Sequence, residues 1–164
     1  MPRMNSGLYS SATPEWSTPQ DLFDRLDAEF HFTLDACATV MNHKCDLYFI
    51  ELEDGLSKPW GGHTVWLNPP YGSTIGRWVA KAYTEAKDNG ARVVMLLPSR
   101  TDTAWFHDYV MKAHELRFLK GRLQFEGAPS SAPFPSVVAV FDGPGDRPGD
   151  QPILSSMLAR VKEK

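Results

Sequence analysis

At 164 residues, with 42% apolar and 12% aromatic side chains, the chain is long enough to bury one core and too apolar to stay disordered. A formal charge of −3 does not favour nucleic acid over the whole surface, so any phosphate contact must come from a local basic patch. No apolar run approaches the roughly 20 residues that span a bilayer, and the first residues lack the apolar stretch of a signal peptide, so a cytoplasmic protein is expected.

Residues 1–13 are small, polar and aperiodic, and read as a flexible tail before a domain over 14–142. Thr18 is placed to cap a helix with Pro19 at its first position and Asp21 in its first turn. Leu22, Phe23, Leu26 and Phe30 then share one face, which predicts a helix over about 19–29. Phe32-Thr33-Leu34, ending at Asp35, reads as a short buried strand followed by an Ala- and Cys-rich turn. Residues 37–62 carry no clean period, and a long irregular stretch inside a compact domain is usually functional.

His63–Leu67 reads as a strand that delivers Asn68-Pro69-Pro70-Tyr71. Ile75, Trp78, Val79, Ala82, Tyr83 and Ala86 form a helical stripe that stops at Asn89-Gly90. Val93–Leu97 is a continuous apolar run suited to a strand buried on both faces, ending in Pro98-Ser99-Arg100. Trp105, Phe106, Tyr109 and Val110 predict another helix, and 116–119 and 137–141 two more strands. Residues 143–164 read as a linker followed by a stretch, 153–162, suited to a small helix or a mobile end. This alternation argues an α/β fold with an open, largely parallel sheet.

Two cysteines, Cys37 and Cys45, interleave with His31 and His43, but the spacing fits no close-paired zinc arrangement. No metal is assigned, and the cysteines read as reduced thiols without catalytic work.

Asn68-Pro69-Pro70-Tyr71 carries the chemistry. The lone pair of an exocyclic or amide nitrogen is delocalised, so a catalyst needs acceptors aimed at the N–H groups to return that density to nitrogen. Asn68 offers a side-chain carbonyl and Pro69 a backbone carbonyl, on a turn stiffened by two prolines. Tyr71 is expected to present a ring face on which an extruded base stacks. In a parallel sheet, ligands gather at the carboxyl ends of strands, where Asp35, Asn68 and Ser99-Arg100 are all expected.

The blocks Glu15-Trp16-Ser17-Thr18-Pro19, Leu34-Asp35-Ala36-Cys37-Ala38, Asn68-Pro69-Pro70-Tyr71, Leu97-Pro98-Ser99-Arg100-Thr101-Asp102-Thr103 and Gly121-Arg122-Leu123-Gln124-Phe125 together resemble the phage-type Dam family of DNA N6-adenine methyltransferases over about residues 15–141. The resemblance implies a compact Rossmann-like methyltransferase fold and transfer of a methyl group from S-adenosylmethionine to adenine N6 in DNA, without a covalent enzyme intermediate. It implies DNA as partner, no membrane, and a bacterial or phage-infected cytoplasm, with monomer and homodimer both open.

By the same resemblance Thr18, Pro19 and Asp35 would flank the methionine end of the cofactor, and Ala36, Cys37 and Asn68 would also contact it. Asn68, Pro69, Pro70 and Tyr71 would be catalytic, and Tyr71, Arg100 and Arg122 would meet DNA. The sequence departs from the wider methyltransferase pattern in two ways. The turn Ala36-Cys37-Ala38-Thr39 lacks the usual glycine, and Asp35 and Asn68 are too close for two further full β/α units, so that segment must be reduced. Of Glu51, Glu53 and Asp54 in that stretch, Asp54 is the choice for the cofactor's adenosine. Transfer to a protein glutamine amide uses the same logic and is the nearest alternative; a catalytically inactive nucleic-acid-binding module is another.

Overall fold

The computed structural model describes residues 17–143 and 151–161. The expected tail at 1–13, the Glu15-Trp16 part of the first block and residues 144–150 of the expected linker lie outside them. Three helices, α1 (Gln20–Phe30), α2 (Ile75–Asp88) and α3 (Ala104–Asp108), accompany seven strands: β1 (Leu34–Ala38), β2 (Tyr48–Ile50), β3 (Thr64–Leu67), β4 (Arg92–Pro98), β5 (Glu115–Lys120), β6 (Ser136–Phe141) and β7 (Ile153–Leu158). The strands form one sheet in the order β2-β1-β3-β4-β6-β5-β7.

Only β6 runs against the rest: it is antiparallel to both β4 and β5, while every other pairing is parallel. The largely parallel α/β sheet read from the alternation is therefore present, with one reversed strand. The reversal follows from the connection, because the chain leaves β5 at its carboxyl end and re-enters the sheet from that same end after residues 121–135.

The core sits on both faces of the sheet, and β4 shows why. Its apolar run sends Val93, Met95 and Leu97 into one layer, with Trp78, Val79, Ala82 and Phe106 of α2 and α3. Val94 and Leu96 enter the other, with Leu22, Phe23 and Leu26 of α1. A strand covered on both faces has no polar alternation to offer. Fully burying Leu22 and Leu26 contributes about 1.5–3 kcal/mol each, so docking of this apolar face holds α1. No described helix is long and apolar enough to cross a membrane.

Several local expectations change. Helix α1 starts at Gln20 with Pro19 as its N-cap and no side-chain cap, so Thr18 does not cap it. Strand β1 begins at Leu34, not Phe32, because pairing to β3 starts at Leu34 opposite Val65, and Asp35 lies inside the strand instead of at its end. The stretch 37–62 is reduced, as the sequence required: three residues of β2 and two 3-10 turns, Glu51–Glu53 and Gly55–Ser57, with no α-helix. It packs tightly because Gly55 lies against the Ala36 carbonyl, where any Cβ would collide. Trp60 closes it from below, its Nε1 donating to Gly55 O at 3.0 Å and its backbone N–H to buried Glu85 at 3.1 Å.

The expected small C-terminal helix is instead strand β7, paired along its length with β5 from Glu115 opposite Ile153 to Lys120 opposite Leu158. Exposed apolar residues on both of its faces gave the sequence neither a helical stripe nor a clean alternation.

Candidate active site

Asn68 follows the last residue of β3 at the carboxyl edge of the sheet and is 5% exposed. Its Nδ2 donates to Thr18 Oγ1 at 3.1 Å, a buried bond between residues fifty positions apart. That bond sets the sense of the amide, nitrogen toward Thr18, and so fixes where the acceptor Oδ1 lies. Thr18, itself 3% exposed, thereby positions Asn68. Pro69 is buried and Pro70 half-buried, and α2 begins at Ile75, whose N–H is received by Gly72 O at 3.2 Å. The turn is thus clamped between a strand and a helix.

Tyr71, expected to present a ring face, is anchored at its hydroxyl. Its hydroxyl donates to Leu96 O at 2.8 Å, and burial pushes that hydroxyl well above its ordinary pKa, so it stays protonated and anchored. The half-buried ring meets Phe125 and Phe134 edge-to-face, with centroids 6.1 and 5.7 Å away. Phe134 in turn carries the Arg100 guanidinium 6.0 Å above its ring. Arg100 and Tyr71 are therefore joined through Phe134, which lies in a Pro- and Ser-rich stretch that offered the sequence no periodic signal. Beside them the hydroxyls of Ser99 and Ser136 are buried with no hydrogen-bond partner among the described residues. Such orphans cost about 1–3 kcal/mol each.

Asp35 is 3% exposed. Its Oδ2 accepts from Lys44 N at 2.9 Å and its Oδ1 from Cys37 N at 3.4 Å. Burial pushes its pKa up to about 7 despite those two N–H bonds and the charges of Lys44 and His43. A carboxylate so short of compensation favours a cationic ligand. Cys37 and Cys45 are free thiols, and burial, with Asp35 beside both, pushes each up to about 12, which removes them as nucleophiles near neutral pH. No three His, Cys, Asp or Glu side chains among the described residues are grouped to hold a metal.

The remaining candidates divide. The Ala36-Cys37 segment belongs to β1, not to a turn after it, and Pro19 borders an open cleft of about 350 Å³ lined also by Gln124, Phe125, Glu126 and Arg160. Asp54 is exposed with φ 53°, held beside β1 by the packing of Gly55 on Ala36. Glu51 is better placed than Asp54 for the strand-end rule: it follows β2 directly, and Ile50 pairs with Ala38 of β1. Only the strand order reveals this. Arg122 is exposed after β5 and its Nη1 reaches Ala132 O at 3.5 Å, while Arg160, absent from the candidates, donates to Ser131 Oγ at 2.9 Å.

Asn68, Tyr71, Arg100 and Arg122 thus follow strand ends at the carboxyl edge of the sheet, with Thr18 bonded to Asn68 and Asp35 inside the neighbouring strand β1, opposite Trp66. Residues 5–142 match the family described as DNA N-6-adenine-methyltransferase (Dam). The chain belongs to that family. Two curated relatives of this Dam-family chain are both described as DNA N-6-adenine-methyltransferase. One, from Escherichia phage T1, is 34% identical over 110 residues, 66% of this chain and 45% of the relative. The other, from Haemophilus phage HP1, is 31% identical over 106 residues, 63% of this chain and 61% of the relative. The matched regions therefore span about half to three-fifths of those proteins.

Proposed function

We propose that this Dam-family protein transfers a methyl group to the exocyclic N6 of adenine in DNA, with S-adenosylmethionine as donor. The observation that carries the reading is the buried Thr18–Asn68 bond, which fixes the side-chain amide of the residue that follows β3. Two fixed acceptors on the amine hydrogens return lone-pair density to N6 and stabilise the positive charge that grows there. Family membership and the names of the two phage relatives narrow the amine to adenine.

The donor set fits the cofactor. Asp35 is a desolvated carboxylate suited to the ammonium and sulfonium groups, Ala36 and Cys37 adjoin it in β1, and Asp54, with Glu51 after β2, is proposed for the adenosine. When bound, S-adenosylmethionine supplies an electrophilic methyl carbon. The protein's own residues do the rest. Asn68 and Pro69 hold the amine in line, Tyr71 and Phe134 give the base aromatic surfaces, and Arg100 and Arg122 meet backbone phosphates. With the donor bound, the amine held by Asn68 and Pro69 would take the methyl group from the sulfonium, which would leave as the neutral thioether, and the amine's proton would pass to water.

The test supplies tritiated methyl donor to the protein with unmethylated plasmid DNA and, separately, with a bacterial protein extract. Label in DNA is expected; label confined to protein would favour an amide acceptor, and none in either would support a non-catalytic module.

A further inference from the structure

Three segments around the candidate site meet at one lysine. Lys44, on the stretch between β1 and β2, has a side chain only 8% exposed. Its Nζ donates to Gln20 Oε1 at 2.7 Å and lies 3.7 Å from Glu126 Oε2, while the Gln20 backbone N–H donates to Glu126 Oε1 at 3.0 Å. Its own backbone N–H is the one received by Asp35. Beside it Asn42 Nδ2 donates to Ser17 Oγ at 3.2 Å, and Ser17 O receives the Glu126 N–H at 2.9 Å.

Each tied segment carries a different part of the site. Residues 17–20 hold Thr18, which orients Asn68. Residues 42–44 hang on Asp35. Glu126 follows Phe125, which meets the Tyr71 ring edge-to-face. A long, flexible lysine is an expensive side chain to immobilise merely to fasten surface loops, and this one links the stretch bonded to Asp35 with the residue that follows Phe125.

We propose that Lys44 is a positioning residue that couples occupation of the cofactor site to engagement of DNA. The inference rests on the reading above, in which the cofactor's cationic groups lie at Asp35. A ligand there fixes the 42–44 stretch, Lys44 then holds Gln20 and Glu126 together, and Glu126 holds Phe125 under Tyr71. Whichever ligand binds first orders the shared junction, so the second binds more tightly, and the coupling is reciprocal.

The test uses the full chain, the unreactive cationic analogue sinefungin, and a plasmid duplex that the enzyme methylates. Calorimetry gives the sinefungin Kd with and without saturating duplex. The wild-type ratio is expected to be about fivefold or more, within the usual range of such couplings. Lys44→Met should bring it close to one, Lys44→Arg should keep most of it, and Glu126→Gln should reduce it. A purely structural role would weaken both affinities and leave their ratio unchanged. A wild-type ratio of one, or an undiminished ratio in Lys44→Met, overturns the proposal. If Lys44→Met fails to fold, Glu126→Gln at a half-exposed position decides alone, by a reduced or an undiminished ratio. Asp35→Asn separates the failures. Unchanged sinefungin affinity there removes the cofactor from Asp35 and the coupling with it, whereas weakened affinity with full coupling in Lys44→Met overturns the Lys44 inference alone.

Discussion

The two sides of the crevice are built by opposite means. On the Asn68–Tyr71 side, a strand, two prolines, a buried Thr18–Asn68 bond and a tyrosine hydroxyl on Leu96 O hold a short turn from four directions. On the Asp35 side, the chain between β1 and β3 has no α-helix, exposes Val40, Met41 and Leu52, and keeps its shape through hydrogen bonds and the contact of Gly55 with Ala36. Groups that must be aimed at a reacting atom gain from rigidity. A stretch that must admit and release a large ligand gains from local opening, and few buried apolar contacts make opening easier.

Substitutions on the two sides should therefore fail differently. Asn68→Ala is expected to lower kcat by about 10²–10³-fold or more, the loss seen when a transition-state hydrogen-bonding group is removed, while cofactor affinity measured by calorimetry stays within a few-fold. Equal losses in both would mean that the rigid turn serves binding rather than transfer.

Asp35→Asn should do the reverse, weakening cofactor binding by about tenfold or more through loss of the buried charge. Its pH dependence follows from a pKa raised to about 7. In the ligand-free fold Asp35 is protonated below about pH 7 while the unfolded chain ionises near its ordinary 3.8, so its contribution to folding stability declines as pH rises from about 4 to 7. Binding of a cationic cofactor needs the ionised form, so affinity should rise across pH 6–8. Asp35→Asn should remove the part of the slope due to Asp35. A slope identical in both proteins would contradict the assignment.

Tyr71 gives a smaller and more discriminating effect. Tyr71→Phe keeps the ring but loses the bond to Leu96 O, and should lower stability by about 1 kcal/mol in denaturant titration while retaining part of the activity. Tyr71→Ala should lose both; equal damage from the two would make the hydroxyl anchor, not the ring, decisive. The smallest change is expected at Arg122, where Ala should weaken DNA binding similarly on all sequences and reduce the salt dependence by about one counterion.

The same contrast explains what the sequence disclosed. The Asn68–Tyr71 side was legible because its supports leave local signatures: a strand run, two prolines, then an amphipathic helix. Strand β4 was legible for the same reason. The Asp35 side was not. Glu51 acquires its place only from the pairing of three-residue β2 with β1, and a strand so short leaves no period. Thr18 matched a helix cap equally well until the fold brought Asn68 to it. Phe134 and Lys44 depend on contacts between segments far apart in the chain. The reversed direction of β6 was hidden because a strand buried on both faces looks alike whichever way it runs.

The role proposed for the Asn68 turn is to direct methyl transfer to adenine N6. It is tested most directly by incubating unmethylated plasmid DNA and S-adenosylmethionine with wild type and with Asn68→Ala, digesting the DNA to nucleosides and analysing them by mass spectrometry. Wild type should yield N6-methyldeoxyadenosine and the variant essentially none, at matched cofactor occupancy. Methylation of a different base, or equal N6-methyldeoxyadenosine from both proteins, would contradict it.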